Sequence, residues 1–148
     1  MPVVVTNRDF PNLSADRVWQ KVRAFRDYAS FMEHVLSIDI LEDHGERLIS
    51  SWVVLFNGNE LRWTEHDFVD DTRRRVEFSQ IEGDLEVWRG HVEVLGDESS
   101  SACYTVEFDL GVPALADLLH PLGKKAIEEN CRQMLDSIAA TLTHQPSP

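Results

Sequence analysis

Basic residues and cysteines are both scarce in this chain of 148 residues. Lys and Arg number 14 against 26 Asp and Glu, which gives a formal net charge of -12. A surface of that sign disfavours nucleic-acid phosphates and anionic membranes, so we expect no nucleic-acid partner. The two cysteines, Cys103 and Cys131, form no CxxC motif and lack metal-ligand spacing. This usage favours a reduced, cytoplasmic protein without a metal site.

Long apolar runs and common catalytic motifs are also missing. No stretch is long enough to cross a bilayer, and the opening "MPVVVTNRDF" lacks the basic leader of a signal peptide. There is no Walker loop, GxGxxG, HExxH or nucleophile elbow, and the six histidines form no metal-ligand pair on one face. The sequence therefore predicts neither a metal nor a redox cofactor.

What is present is a clear change of hydrophobic period along the chain. Residues 3–10 read as a strand, residues 13–25 as a helix capped by Ser14, and residues 26–35 as a second short helix. Six strand-like segments follow, separated by turn signals such as Asn57-Gly58. Six successive strands joined by tight turns predict an antiparallel meander.

The C-terminal third predicts helix. Within residues 113–142, Pro121 and Gly123 are expected to interrupt the pattern and leave a short helix followed by a long one. Residues 1–143 then form a single domain, and residues 144–148 form a disordered tail. An apolar stripe on the long helix should face a sheet; it comprises Ile127, Cys131, Met134, Ile138 and Leu142.

A long amphipathic helix across a curled meander should enclose a cavity between helix and sheet. The segment "GNELRWTEHDFVDD" (residues 58–71) places Leu61, Trp63, Glu65 and Asp67 on one strand face, and the first two mark it as the inner one. Buried carboxylates are costly in a solid core but tolerable at a cavity wall, where a raised pKa suits a general acid or base. The alternative is pairing with arginines at the sheet rim, which is favoured for Asp67.

Other inward positions suit ligand contacts, although ordinary core packing explains each aromatic residue equally well. Gln80 would offer a neutral hydrogen-bonding group. Gly90 would let its strand bend or leave room for a ligand. The expected cavity measures several hundred cubic ångströms, and Tyr28 could donate a hydrogen bond to a ligand carbonyl within it. The remaining candidate ligand contacts are Trp52, Trp63, Phe78, Trp88, Phe31, His34, Asn130 and Met134.

Four segments carry a family resemblance: "YASFMEHVLSIDILE", "NGNELRWTEHDFVDD", "VEFSQIEGDLEVWRGHVEV" and "VEFDLGVPAL". They resemble the polyketide cyclase/aromatase branch of the START-like superfamily, which also includes coenzyme Q-binding-like proteins. The resemblance implies an α+β helix-grip fold. In that fold a curved antiparallel sheet of about seven strands wraps a long C-terminal helix, and two short helices lie between the first two strands.

The resemblance also implies a function and a site. In relatives, polar residues of the strand that matches residues 60–69 point into a cavity. The resemblance therefore implies inward positions for Glu65 and Asp67. Aromatase/cyclases have an arginine on this strand, whereas this chain has Asp67 at the matching position. The leading hypothesis is cyclisation and dehydration of a polyketide-like intermediate, with Glu65 as acid or base and with Gln80, Tyr28 and Asp67 orienting the substrate. The alternative is a non-catalytic carrier of a lipid, quinone or aromatic metabolite.

The resemblance also implies a partner protein. Polyketide intermediates ride on acidic acyl carrier proteins, and two local basic clusters could dock one: Arg73 to Arg75, and Lys124 with Lys125. A solvated turn is the favoured interpretation of each cluster. The protein is expected to act as a monomer or homodimer.

Overall fold

The computed structural model describes residues 2–56, 58–109, 111 and 116–143, with only the backbone for 116–120. The described residues form seven strands, two α-helices and one 3₁₀ helix. In chain order they are β1 Val3–Phe10, α1 Ala15–Arg23, the 3₁₀ helix Phe25–Ser30, β2 Val35–Asp43, β3 Arg47–Phe56, β4 Asn59–Asp70, β5 Arg75–Gly83, β6 Val87–Gly96, β7 Ser100–Asp109 and α2 Ala116–Thr143.

The strands form one antiparallel sheet in the order β1-β7-β6-β5-β4-β3-β2. The last six strands are therefore the predicted meander, and β1 adds to its far side by pairing with β7, Val3 opposite Glu107. The two short helices lie between β1 and β2 in the chain, and α2 packs across the concave face, chiefly against β1. The predicted helix-grip fold is confirmed.

Local sequence signals account for the N-terminal helices. The side chain of Ser14 accepts a hydrogen bond of 3.2 Å from the backbone N–H of Arg17, as expected for an N-cap. The second short helix is a 3₁₀ helix. Phe25 and Tyr28 lie three residues apart within it, so both face the interior and both are buried.

One prediction about the C-terminal region is wrong. Pro121 and Gly123 do not divide it, because α2 runs without a break from Ala116 to Thr143. Proline removes a single backbone donor and lies near the start of this helix, while the long apolar stripe beyond it packs against the core. That stripe, Ile127 to Leu142, is buried as expected. The predicted disordered tail, residues 144–148, lies outside the described residues.

No helix in the described part of the chain combines the length and apolarity needed to span a membrane. The apolar side chains point instead to one core between α2 and the concave face of the sheet. Along β3 and β7 every second residue is buried, which is the pattern of strands with one covered face.

Gly90 fixes how closely β6 approaches β7. A Cβ atom at this position would lie 1.9 Å from the backbone carbonyl oxygen of Thr105 on β7. Glycine is therefore required by backbone packing between neighbouring strands. The close approach of β7 accounts for a glycine at this position, and the bend and the ligand space expected of Gly90 both stay predictions.

We expect Gly90→Ala to destabilise the protein by about 3 kcal/mol or more, because the new methyl group meets backbone and cannot be accommodated by a side-chain rotation. Chemical denaturation measures this loss. The control is Arg89→Ala, one residue away on the outer face, where loss of the exposed pair with Glu107 should change stability much less. Equal stabilities of the two variants would contradict the close approach.

Candidate ligand-binding and acid-base site

A row of aromatic rings crosses the concave face of the sheet. Phe25 stacks on Trp52 with ring centroids 5.9 Å apart, and Trp52 stacks on Trp63 at 5.7 Å with an angle of 11° between the rings. Trp88 continues the row, 5.1 Å from Trp63 and 6.0 Å from Phe78. The row forms because inward positions of four strands meet there, so the predicted shared face of Trp52 and Trp63 is confirmed.

Two carboxyl groups lie beside this row on the inner face of β4. Glu65 and Asp67 are each 3% exposed. The indole N–H of Trp63 donates to Glu65 Oε1 at 2.6 Å. The hydroxyl of Ser50 donates to Asp67 Oδ2 at 2.5 Å, and it accepts in turn from the indole N–H of Trp52 at 2.9 Å. The predicted inward orientation of both carboxyl groups is therefore observed.

The two carboxyl groups also hydrogen-bond to each other, which requires that one of them keep its proton. Burial raises the pKa of Glu65 well above its usual range, and the hydrogen bond and charge of Asp67 act in the same direction. Burial also raises the pKa of Asp67, while hydrogen bonds from Glu65 and Ser50 oppose that rise. The pair therefore favours keeping one proton, and the stronger rise is that of the Glu65 pKa.

This arrangement corrects the favoured expectation for Asp67. Its partners are Glu65 and Ser50 in the interior, and no arginine pairs with it among the described residues. The register explains why: Ser50 lies opposite Glu65 on β3, so its hydroxyl reaches diagonally to Asp67 two residues along.

Two phenols form a second polar group in the interior. The hydroxyl of Tyr28 donates to the backbone carbonyl of Val22 at 2.5 Å, so its oxygen is free to accept from Tyr104 on β7. Burial raises the pKa of both phenols, and both feel the negative charge of the carboxyl pair. The phenols and the carboxyl groups therefore belong to one electrostatic environment.

The space left between these groups is small. A water-sized molecule can place its centre within only about 40 Å³, which is room for two or three waters. The expected cavity of several hundred cubic ångströms is therefore wrong for this conformation, because the aromatic row and the α2 side chains fill it. The lining includes Val22, Phe25, Tyr28, Trp52, Val54, Trp63, Glu65, Asp67, Val76, Phe78, Trp88, Val92, Tyr104, Val106, Asn130, Cys131 and Met134.

Nine of the candidate residues meet around this cavity, and four do not. Gln80 donates to the backbone carbonyl of Leu85 at 2.6 Å and so braces the β5–β6 turn. Phe31 and His34 line a groove on the outside, beside α2. Gly90 contacts the β7 backbone. Ligand roles for these four residues remain predictions without support from the cavity.

Sequence reasoning missed several members of the site. Tyr104 could have been found, because it alternates with Ala102 and Val106 on the inner face of β7. Ser50 carried no such signal, since a small hydroxyl residue on a strand is common. Its role depends on the register between β3 and β4.

Comparison with known proteins identifies the family. A sequence profile described as polyketide cyclase/dehydrase and lipid transport matches residues 11–135, so the chain belongs to this family. No curated protein sequence matches the chain. The family description covers both catalysis and transport.

Solved structures agree with the fold. TTHA0849 from Thermus thermophilus is 26% identical, with a TM-score of 0.89 over 99% of this chain and 100% of that one. The aromatase/cyclase ZhuI from Streptomyces sp. R1128 is 18% identical, with a TM-score of 0.84 over 95% and 92% of the two chains. Norcoclaurine synthase from Thalictrum flavum is 18% identical, with a TM-score of 0.75 over 98% and 96%. The last two likenesses concern the fold alone.

The raised pKa of Glu65 makes stability depend on pH. Between the unperturbed value of 4.5 and the higher folded value, the folded protein keeps a proton that the unfolded chain releases. Stability should therefore fall as pH rises through this window, by at most about 1.4 kcal/mol per pH unit for one proton. Glu65→Gln removes the proton and should remove this slope.

The measurement is the free energy of unfolding of both proteins from about pH 4.5 to 8, a range that starts at the unperturbed carboxyl pKa. Groups common to both cancel in the difference. Among them are His34 and His91, whose pKa values are lowered by burial and whose contribution to stability rises with pH. A difference between wild type and Glu65→Gln that does not change with pH would contradict a proton held on Glu65.

Proposed function

We propose that the protein binds a hydrophobic aromatic or polyketide-type intermediate in its interior and promotes cyclisation with dehydration. The observation that supports this most directly is the pair of buried carboxyl groups, both with raised pKa values, beside a wall of aromatic rings. A carboxylic acid beside a carboxylate supplies both partners that a dehydration needs.

The two carboxyl groups have complementary roles in such a step. The carboxylate of Asp67 takes the proton from the carbon next to a ketone, and Glu65 gives its proton to the hydroxyl group that leaves as water. The carbon–carbon double bond forms as the C–O bond breaks. The pair ends with one proton, now on Asp67, so it begins and ends the step with the same net charge.

Substrate binding requires the aromatic row to open, because the present cavity is too small for a folded polyketide. The row is held by ring stacking and by two indole hydrogen bonds, to Ser50 and to Glu65. A bound aromatic ligand can replace the ring contacts with its own. The flexible substrate is then held in a reactive shape between the rings and the carboxyl pair.

Glu65→Gln tests the acid. Glutamine keeps both hydrogen bonds of Glu65, since its oxygen accepts from Trp63 and its amide donates to Asp67, yet it has no acidic proton to give. Turnover of a polyketide substrate should fall about a hundredfold or more while ligand binding survives. The assay compares rate and product profile with the spontaneous reaction. Equal rates for both proteins, above that background, would show that Glu65 is not the acid.

A non-catalytic carrier is the second candidate, and one observation favours it. The indole N–H groups of Trp52 and Trp63 and the hydroxyls of Ser50 and Tyr28 donate to partners inside the protein, so the interior keeps few free donors to polarise a substrate carbonyl. A carrier would bind its ligand equally well in wild type and Glu65→Gln, with no turnover in either.

An acyl carrier protein remains a proposed partner, and the ion pairs around the arginine cluster favour the lysine cluster for its docking. The arginine cluster is occupied by intramolecular ion pairs: Arg74 contacts Asp16 at 2.6 Å, and Arg75 contacts Glu77 at 3.1 Å. Arg73 lies 3.8 Å from Asp70. These contacts reduce the positive charge that an acidic carrier would meet.

Lys124 and Lys125 are exposed on α2 and are the better docking candidates. Reversing both charges should slow transfer from a carrier-bound substrate by about tenfold, the lower end of electrostatic steering. A free substrate analogue should react at the wild-type rate. Charge reversal at Arg73 is the control and should have a smaller effect; equal effects of the lysine variant on both substrates would exclude docking there.

A further inference from the structure

The negative charge inside the protein has no basic partner among the described residues that line the cavity. Glu65 and Asp67 share one proton and keep one negative charge, and the lining contains no Lys, Arg or His. The basic group that acts on this charge is His66, which projects from the opposite face of β4 and is exposed. Segment 110–120, "LGVPALADLLH", contains no Lys or Arg and one histidine, His120.

The walls around this charge are faces and edges of aromatic rings. Trp52, Trp63 and Trp88 line the cavity together with Phe25 and Phe78. Aromatic faces carry negative potential and attract cations, most strongly for tryptophan and away from water. A carboxylate and several tryptophans that line one cavity therefore both favour a positively charged ligand group.

Hydrogen bonding leads to the same class of ligand. Four interior donors are used within the protein: Trp52 donates to Ser50, Ser50 to Asp67, Trp63 to Glu65, and Tyr28 to a backbone carbonyl. An anionic ligand would meet the charge of Asp67 with few donors to offset it. A positively charged ligand would meet acceptors and ring faces, and it would supply the missing opposite charge.

We propose that this interior takes a ligand with a positively charged nitrogen, quaternary or protonated, held against the tryptophan rings and balanced by the Glu65–Asp67 pair. The proposal rests on the proposed function for the location of the site, and it adds the charge class of the ligand. The net charge of -12 assists, since an acidic protein raises the local concentration of cations.

Binding must separate rings that are now in contact. Trp52 and Trp63 have centroids 5.7 Å apart and are nearly parallel. A group placed between two ring faces needs them about 7 Å apart, twice the carbon contact distance of about 3.5 Å. The ligand therefore changes the surroundings of both indoles, and tryptophan fluorescence reports binding directly.

The test compares two probes of the same shape on the wild-type protein at neutral pH. Phenyltrimethylammonium and tert-butylbenzene differ by one atom and one positive charge. We expect the cation to bind at least about tenfold tighter by fluorescence and calorimetry, although the hydrocarbon has the larger hydrophobic driving force. Equal binding, tighter binding of the hydrocarbon, or no binding of the cation would overturn the proposal.

Two variants locate the source of the preference. Asp67→Asn removes the negative charge of the pair, whereas Glu65→Gln removes only its proton and leaves Asp67 charged. The preference for the cation should fall at least about tenfold in Asp67→Asn and should change by less than about threefold in Glu65→Gln. Asp39→Asn is the matched control, because it removes one negative charge from β2 at a position outside the cavity lining. A preference that Asp67→Asn retains, or that Asp39→Asn loses equally, would contradict the proposal.

The outcomes separate this inference from the proposed function. Loss of turnover in Glu65→Gln together with equal binding of both probes would support the acid and exclude the cationic ligand. A strong preference for the cation in wild type, with no turnover in either protein, would support the ligand class and exclude the enzyme.

Discussion

One proton shared by two buried carboxyl groups is the constraint on which the rest of this interior depends. Without it, Glu65 and Asp67 would be two negative charges side by side in a dry core, which is among the costliest arrangements a fold can contain. With one shared proton, the pair carries one negative charge instead of two, and the two carboxyl groups can hydrogen-bond to each other. The neighbouring polar side chains, Ser50, Trp52 and Trp63, are then held by this pair.

The cost of such a pair is the reason for proposing a functional role for it. Elsewhere the inward residues of the sheet are mostly apolar or small and uncharged, and helix α2 covers them with a continuous apolar stripe. The pattern of apolar inward residues is broken most clearly on β4, where two acidic residues occupy consecutive inward positions. Residues that destabilise a fold in this way are concentrated at binding and catalytic sites, where function favours keeping them.

Much of the fold could be predicted from the sequence, and the reason is periodicity. Alternation along β4 is enough to place Glu65 and Asp67 on the inner face, and tight-turn residues such as Gly58 mark where strands end. The helix break predicted at Pro121 was wrong, because the effect of proline depends on its place in the helix and on the packing of the residues that follow it. The site was harder to predict, since Ser50 and Tyr104 are joined to it by strand register and by contacts between distant segments, which no local pattern encodes. The number of tryptophans likewise does not reveal that they stack closely enough to leave about 40 Å³.

The aromatic row has a further consequence for light absorption. Trp52 and Trp63 lie nearly parallel at 5.7 Å, and Trp88 lies 5.1 Å from Trp63 at an angle of 47°. Indole transitions at such separations couple, and coupled chromophores that are tilted relative to each other give paired bands of opposite sign in circular dichroism. The strength of that couplet depends on the spacing and tilt of the three rings, so circular dichroism reports any change in their arrangement.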